Sequence, residues 1–471
     1  MEILKKKLTS EAFVLLVITL FLFPVVSGAE GPSPAKPEIL LKISASKTGK
    51  EPAKEILTLE EAVRIARDNQ PRIRAAQARI KAQQAVLGRA MSAYYPTINL
   101  RNEYRSSLAS GTTSTSQKAF DFFSSAANFN WTIYDFGKRE GTVQEARDSL
   151  DSRRFAERTS VDDVILTVMR LYYRSLAVKA LVRVREDTLK DRELLVRQAK
   201  GFFEVGTRPK IEVARAESGF FAAKADLIAA QNGVKIAWAE LGNAVGVEDF
   251  PVRPQAEDAL VEKPLTLLAK ELDIRKPEVS LAESQKIASD SRPELKDFAA
   301  QLRAQYADIA VARRGHLPDI SFFGQYGRRN TSRGGDTFPL QLIWQAGITI
   351  EIPIFSGFET TYEIEEALRD YREIKAREEE TRQQIVLEVE RSYLNVIAAT
   401  ERTKAAEAAV RSAKENLDLA NGRYRVGVGS IIEITEAQVI NTEAQTNLIQ
   451  SLLDHKIAEA ELARAMGQAA R

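Results

Sequence analysis

The sequence predicts a mainly α-helical protein with a β portion suited to a membrane. Three features predict it: the chain is written twice, each copy carries two strands of alternating polarity, and each copy then runs through a very long proline-free stretch. The duplication is read directly. The segment Leu59–Pro71 matches Leu281–Pro293 at leucine, glutamate, isoleucine, alanine, aspartate and proline positions, an offset of 293 − 71 = 222. The same offset pairs Pro96 with Pro318, Ile98 with Ile320 and Tyr104 with Tyr326. After the next loop the offset is 221, pairing Glu145 with Glu366, Tyr172 with Tyr393, Gly206 with Gly427 and Gly246 with Gly467. Two unrelated coiled coils would not also agree at prolines and glycines, and the unit is too large for an array of short repeats.

Composition limits the function classes. In 471 residues Lys+Arg (67) nearly balances Asp+Glu (65), without the basic excess of a nucleic-acid binder. There is no cysteine, which excludes disulfides, thiolate metal sites, thiol nucleophiles and a lipid-bearing N-terminal cysteine. Only His316 and His455 could supply imidazole, and they stand far apart, so no cofactor or metal is expected. At 44% apolar and 28% charged residues the chain is neither disordered nor a helical membrane protein.

The elements follow in order. Lys5, Lys6 and Lys7 precede an apolar run from Ala12 to Phe23, and Ser27, Gly28 and Ala29 follow, so residues 1–29 are expected to be a secretory signal peptide. Residues 30–56, rich in Pro, Lys and Ser, are expected to be a flexible tail. The first repeat, 57–246, opens with a helix expected from Leu59 to Ala93 and halted by Pro96. Strands are expected at about 96–107 and 121–135 around a Ser/Thr/Gly loop, and in the second repeat (281–467) at about 318–328 and 340–354. Leu342, Trp344, Ala346, Ile348, Ile350 and Ile352 share one face, and Gln341, Gln345 and Thr349 share the other. On this alternation Phe129, Trp131, Trp344, Ile348 and Ile350 are expected to face lipid.

From Lys138 to Lys200 and from Glu359 to Asn421 there is no proline, and roughly 60 residues at about 1.5 Å each make a rod near 90 Å. Val161, Val168, Val182, Leu189 and Val196 recur in steps of seven, a heptad seam. Residues 247–280 form a proline-rich connector and 468–471 the C-terminal end. Four amphipathic strands leave open edges that a bilayer cannot satisfy, so closure requires more than one chain: eight strands from two, or twelve from three.

No Walker loop, dinucleotide fingerprint, nucleophile elbow or His-Glu-x-x-His is present, and no enzyme activity is expected. The alternative to a membrane conduit is a secreted or periplasmic coiled-coil structural or adhesion protein. Such a protein would be soluble without detergent and would have no use for amphipathic strands at one end of its rods.

The order of motifs on this duplicated frame is that of a known family. The markers are the corner Ile352-Pro-Ile-Phe-Ser-Gly357 with its twin Ile133–Phe136, and the turn Arg423-Tyr-Arg-Val-Gly427 followed by Ile432-Glu-Ile-Thr-Glu-Ala-Gln438. A twin turn, Phe202-Phe-Glu-Val-Gly206, is followed by Ile211–Glu217. From Leu59 to Gly467 the chain resembles the TolC-like outer-membrane efflux proteins. The resemblance implies a homotrimer with a twelve-stranded β-barrel continued by a helical barrel across the periplasm. Its implied partners are a periplasmic adaptor, an inner-membrane pump and outer-membrane lipid, with no nucleic acid. It also implies that Val205, Gly206, Thr207, Val426, Gly427 and Val428 meet the adaptor.

Glu433 and Glu436 lie three apart, on one helix face, just past the second turn. The resemblance makes these two positions the constriction of the periplasmic gate, and makes Glu212 and Tyr424 a pair that holds the tip closed. Where the family usually has a basic partner, this chain has Gly429, so closure is expected either to be weaker or to use Arg423, Arg425 or Arg208 instead.

Overall fold

The structure, a computed structural model, describes residues 58–108, 119–247, 274–333 and 340–468. The expected signal peptide, nearly all of the tail and most of the connector lie outside the described residues. Residues 53–471 form one compact unit, so the two repeats share a single body.

Each repeat begins with a capped short helix. In α1 (Leu59–Asn69) the Thr58 hydroxyl accepts from the Glu61 amide at 3.2 Å, and in α5 (Leu281–Ser291) Ser280 accepts from Glu283 at 3.2 Å. This satisfies an amide that helix geometry leaves without a partner. The helix expected to run unbroken to Ala93 is interrupted. Gln70 adopts ψ 121°, and a second helix, α2, spans Pro71–Met91 before a 3₁₀ turn at Ser92–Tyr94. The second repeat breaks identically at Arg292, ahead of α6 (Pro293–Arg313). A residue before proline is pushed out of the helical region by the ring, while proline itself suits a first helical position.

Both breaks carry load. Gln70 donates to the Ala244 carbonyl at 2.7 Å, and Arg292 donates to the Arg464 carbonyl at 3.1 Å. Each break thus caps the C-terminus of its repeat's last helix, α4 (Lys210–Val245) or α8 (Ile431–Ala465). Those helices end at Gly246 (φ 82°) and Gly467 (φ 72°), with Val247 and Gln468 donating back to Gly242 and Ala463. Around Arg464 three helices converge: its guanidinium pairs with Asp163 at 2.8 Å, Glu388 at 2.8 Å and Glu294 at 3.1 Å. Burial pulls the Arg464 pKa down, but the three carboxylates outweigh it and leave it raised.

The long helices are α3 (Lys138–Glu204) and α7 (Glu359–Arg425), each of 67 residues. The strand-proximal half of α3 lies between α2 and α6, and its distal half between α4 and α8; α7 packs against α5, α6 and α8. The seam differs from the expected heptad. Val168 is fully buried, but Val182, Leu189 and Val196 are only half-buried, and deep burial moves to Val184, Leu195 and Ala199. A straight helix drifts about 20° per heptad, and α3 exchanges its neighbours partway along, so no single stripe serves its whole length.

Strands β1 (Thr97–Leu108), β2 (Ala119–Tyr134), β3 (Asp319–Arg333) and β4 (Gln341–Glu351) form one antiparallel sheet in sequence order. β3 runs five residues beyond the expected end, and β4 stops short of residue 354. The register pairs Ile98 with Phe129, Trp131 with Phe322, Tyr326 with Trp344, and Ile348 with Phe322. Cross-strand partners share a face, so Phe129, Trp131, Trp344, Ile348 and Ile350 lie on one apolar face. β1 and β4 are the edges, and no described strand covers either. Among the described residues no helix is long and apolar enough to cross a membrane.

The backbone ends of α4 and α8 are packed more tightly than the far turns. A Cβ at Gly246 would lie 2.9 Å from the Asn69 carbonyl carbon and the Gln70 Cα, whereas one at Gly206 (φ 73°) would meet nothing within 4 Å. Gly246→Ala should therefore combine left-handed strain with a clash and cost about 1–3 kcal/mol, with Gly206→Ala at the low end of that range. Denaturant unfolding in detergent, followed by helical circular dichroism, checks the difference; equal costs would contradict it.

Candidate functional site

Two helical hairpins meet at the end remote from the sheet. The first turns at Gly206 and the second at Gly427 (φ 85°). Thr207 donates its amide to Phe202 O at 3.0 Å, and Val428 donates to Arg423 O at 3.1 Å, closing the orphan carbonyls of α3 and α7. Ser430 caps α8 by accepting from the Ile432 amide at 3.0 Å. Val205, Val426 and Val428 stand 72%, 73% and 68% exposed at the turns, and Gly206, Thr207 and Gly427 are also exposed.

A polar clasp joins the hairpins inside one chain. Tyr424 is fully buried, and its hydroxyl donates to Glu212 Oε2 at 3.2 Å. The Phe202 ring lies edge-on to Tyr424 at 5.5 Å, and the Arg208 guanidinium lies 5.7 Å from the centre of the tyrosine ring. Arg208 also donates to the carbonyls of Gly427 at 2.8 Å and Gly429 at 2.7 Å, and reaches Glu212 at 3.5 Å. Of the three arginines the sequence offered, Arg208 is the one that touches both Tyr424 and Glu212. Gly429 leaves no gap. A Cβ there would fall 2.9 Å from the Tyr424 amide nitrogen, so the bare Cα lets the turn fold back and present its carbonyl. Buried beside a carboxylate, the Tyr424 phenol is raised to about 12, first by burial and then by the Glu212 charge.

The two glutamates past the turn are not equivalent. Glu433 pairs with Arg423 at 2.9 Å, whereas Glu436 is exposed and, among the described residues, pairs with no basic side chain. Arg423, ten residues earlier on α7, is brought beside Glu433 by the turn. No group of three or more His, Cys, Asp or Glu among the described residues could hold a metal ion.

Comparison with known proteins shows the family. Residues 62–247 and 286–468 match the outer membrane efflux protein family. The chain belongs to that family. Among similar efflux-family relatives, protein CyaE of Bordetella pertussis is 26% identical over 391 residues, covering 81% of this chain and 78% of that one. The outer membrane protein TolC of Vibrio cholerae is 24% identical over 435 residues, covering 87% and 90%. A crystal structure of a membrane protein from Pseudomonas aeruginosa superimposes with a TM-score of 0.73 at 20% identity, covering 87% of this chain and 92% of that one. Structural neighbours of this efflux protein combine a helical barrel with a β-barrel, and its location is the outer membrane with a helical periplasmic extension.

Sequence reasoning brought together Glu212 and Tyr424 but missed Phe202 and the carbonyl contacts of Arg208. It also missed the caps at Gln70 and Arg292. Their signal was available: each stands directly before the proline that matches in both repeats.

The clasp makes a defined titration. Because the folded phenol is raised above the ordinary tyrosine value of about 10, its stabilising share is intact below pH 10 and is lost as pH climbs toward 12. The ultraviolet titration difference between the protein and Tyr424→Phe should show one phenol ionising near 12. A difference centred near 10 would contradict the buried clasp.

Proposed function

We propose that this efflux-family protein is the passive exit duct of a tripartite efflux or secretion system. Three chains close one barrel, and the helical tip meets a periplasmic adaptor that links it to an inner-membrane pump. The observation that carries the reading is the pair of open edges. β1 and β4 would leave backbone groups unsatisfied in a bilayer, and three copies of a four-stranded sheet supply twelve strands. The helices support the same closure. Phe221 and Ile228 on α4, and Leu387 and Leu394 on α7, are seven apart and between 53% and 64% exposed, as apolar stripes awaiting a partner helix would be. The duplication supports α4 of the next chain as the partner of α7, because α3 of the first repeat packs on α8 of the second.

In this assembly the face bearing Phe129, Trp131, Trp344, Ile348 and Ile350 contacts lipid, and the face bearing Thr349 and Gln345 lines water. The exposed turns at Val205–Thr207 and Val426–Val428 contact the adaptor. The Arg208–Glu212–Tyr424 clasp holds the tip closed. Three copies place a carboxylate ring at Glu436 and a second, partly neutralised ring at Glu433.

Replacing Ile348 by Arg should cost about 2–4 kcal/mol of barrel stability, with a far smaller effect for Thr349→Arg. Urea unfolding in lipid vesicles makes the comparison, and equal tolerance at the two positions would argue against the membrane face. Planar-bilayer recording tests the duct itself. The protein should conduct, prefer cations and be blocked by divalent ions. Glu436→Ala should remove most of that preference and block, and Glu433→Ala much less, because Arg423 already balances Glu433. Unchanged selectivity in the double variant would place the constriction elsewhere.

A further inference from the structure

Each repeat has a corner where its second strand turns into its long helix, and the first corner shows what a complete one looks like. It is held by two pre-strand segments. From its own repeat, the Ala93 carbonyl accepts from Arg139 at 3.3 Å. From the second repeat, Lys138 donates to the Leu317 carbonyl at 3.1 Å and pairs with Asp319 at 2.9 Å, while Arg314 donates to the Gly137 carbonyl at 2.8 Å. Among the described residues the second corner has only the first kind of neighbour: Thr360 lies against Gly315 of its own repeat, where a Cβ would be 3.0 Å away.

Its missing neighbour can be named from the duplication. Shifting by 221 residues after the loop and 222 before it turns Gly137–Arg314 into Phe358–Ser92, and Lys138–Asp319 into Glu359–Thr97. The β2–β3 partners Trp131–Phe322 and Tyr134–Ile320 likewise become Ile352–Leu100 and Phe355–Ile98. The same chain cannot supply them, because β1 and β4 are opposite edges of the sheet. β2 continues to Tyr134, but β4 ends at Glu351, four residues before the matching Phe355.

We propose that the corner Ile352–Phe358 docks on residues 92–100 of a second copy of the chain, through an apolar joint that replaces the ionic joint of the first repeat. The chemistry fits on both sides. Ile354, Phe355 and Phe358 are 90%, 75% and 63% exposed, and Phe355 and Phe358 stack edge-to-face at 5.5 Å. Facing them would be Tyr95, Ile98 and Leu100, at 68%, 65% and 70% exposed. The lysine and aspartate of the internal joint have no charged counterpart pair here, since Thr97 stands where Asp319 does. Parity agrees as well, because Ile348 falls opposite Tyr104, joining the apolar face of one sheet to that of the next.

This inference rests on the multi-chain barrel proposed above, and the experiment separates the two. The chain has no cysteine, so Phe355→Cys with Ile98→Cys introduces the only thiols. Directly opposed strand residues lie about 4.5–5.5 Å apart, within disulfide reach. Oxidation in outer-membrane vesicles should move most of the chain into covalent dimer and trimer bands, while either single variant, and Phe355→Cys with Tyr104→Cys, should not. Phe358→Cys with Ser92→Cys, bridged by a short bis-maleimide, should give the same ladder and serves if the first pair does not fold. If mass measurement in detergent gave a trimer but neither pair linked, the corner would face lipid or water and the joint would be refuted with the barrel intact. A monomeric mass would overturn both.

Discussion

Unpaired backbone at the two edges of the sheet is the constraint from which the rest follows. Every strand in the bilayer must give its amides and carbonyls to another strand, since lipid offers none. Within one chain β2 and β3 meet this demand on both sides, but β1 and β4 meet it on one. The multi-chain barrel proposed above answers that constraint, and it gives the exposed apolar stripes of the helices partners as well. The apolar stripes on α4 and α7 are the continuation, outside the membrane, of the open strands within it.

The duplication explains why one chain can supply matching edges at all. Each half presents the same sequence of capped helix, kink, strands, long helix and return helix. α3 finds on α6 and α8 what, in the proposed assembly, α7 finds on another copy. The halves are not interchangeable copies, however. Where repeat one caps its return helix with the neutral Gln70, repeat two uses Arg292, which also pairs with Glu388 at 2.6 Å. Arg292 and Arg464 thereby place an ionic hub where the two repeats meet, and three carboxylates keep the buried charge compensated.

At the tip the two hairpins are joined by a minimal polar network. Tyr424 and Glu212 belong to different hairpins, 212 residues apart in sequence, and Arg208 ties both to the second turn's backbone. A glycine at position 429 is part of that network because its missing side chain brings a carbonyl within reach of the guanidinium. Breaking such a clasp leaves a buried tyrosine and carboxylate without their partners, which is why a few polar contacts can hold long hairpins together.

Local periodicity and turn chemistry made much of this legible in the amino-acid sequence alone. The repeat, the four strands and their apolar face, the two long helices and the glycine turns all express rules that act over a few residues, and those rules leave a repeating trace. The kinks at Gln70 and Arg292 obeyed a local rule too, the effect of proline on the residue before it, yet the apolar pattern runs through them undisturbed. Tertiary structure decided what depends on distant partners. Which arginine would clasp Tyr424, that Arg423 would neutralise Glu433, and where along α3 the seam would turn all depend on which helices lie beside one another. No period in the sequence encodes these contacts, because each joins side chains from helices that meet only once the two repeats have packed into one body.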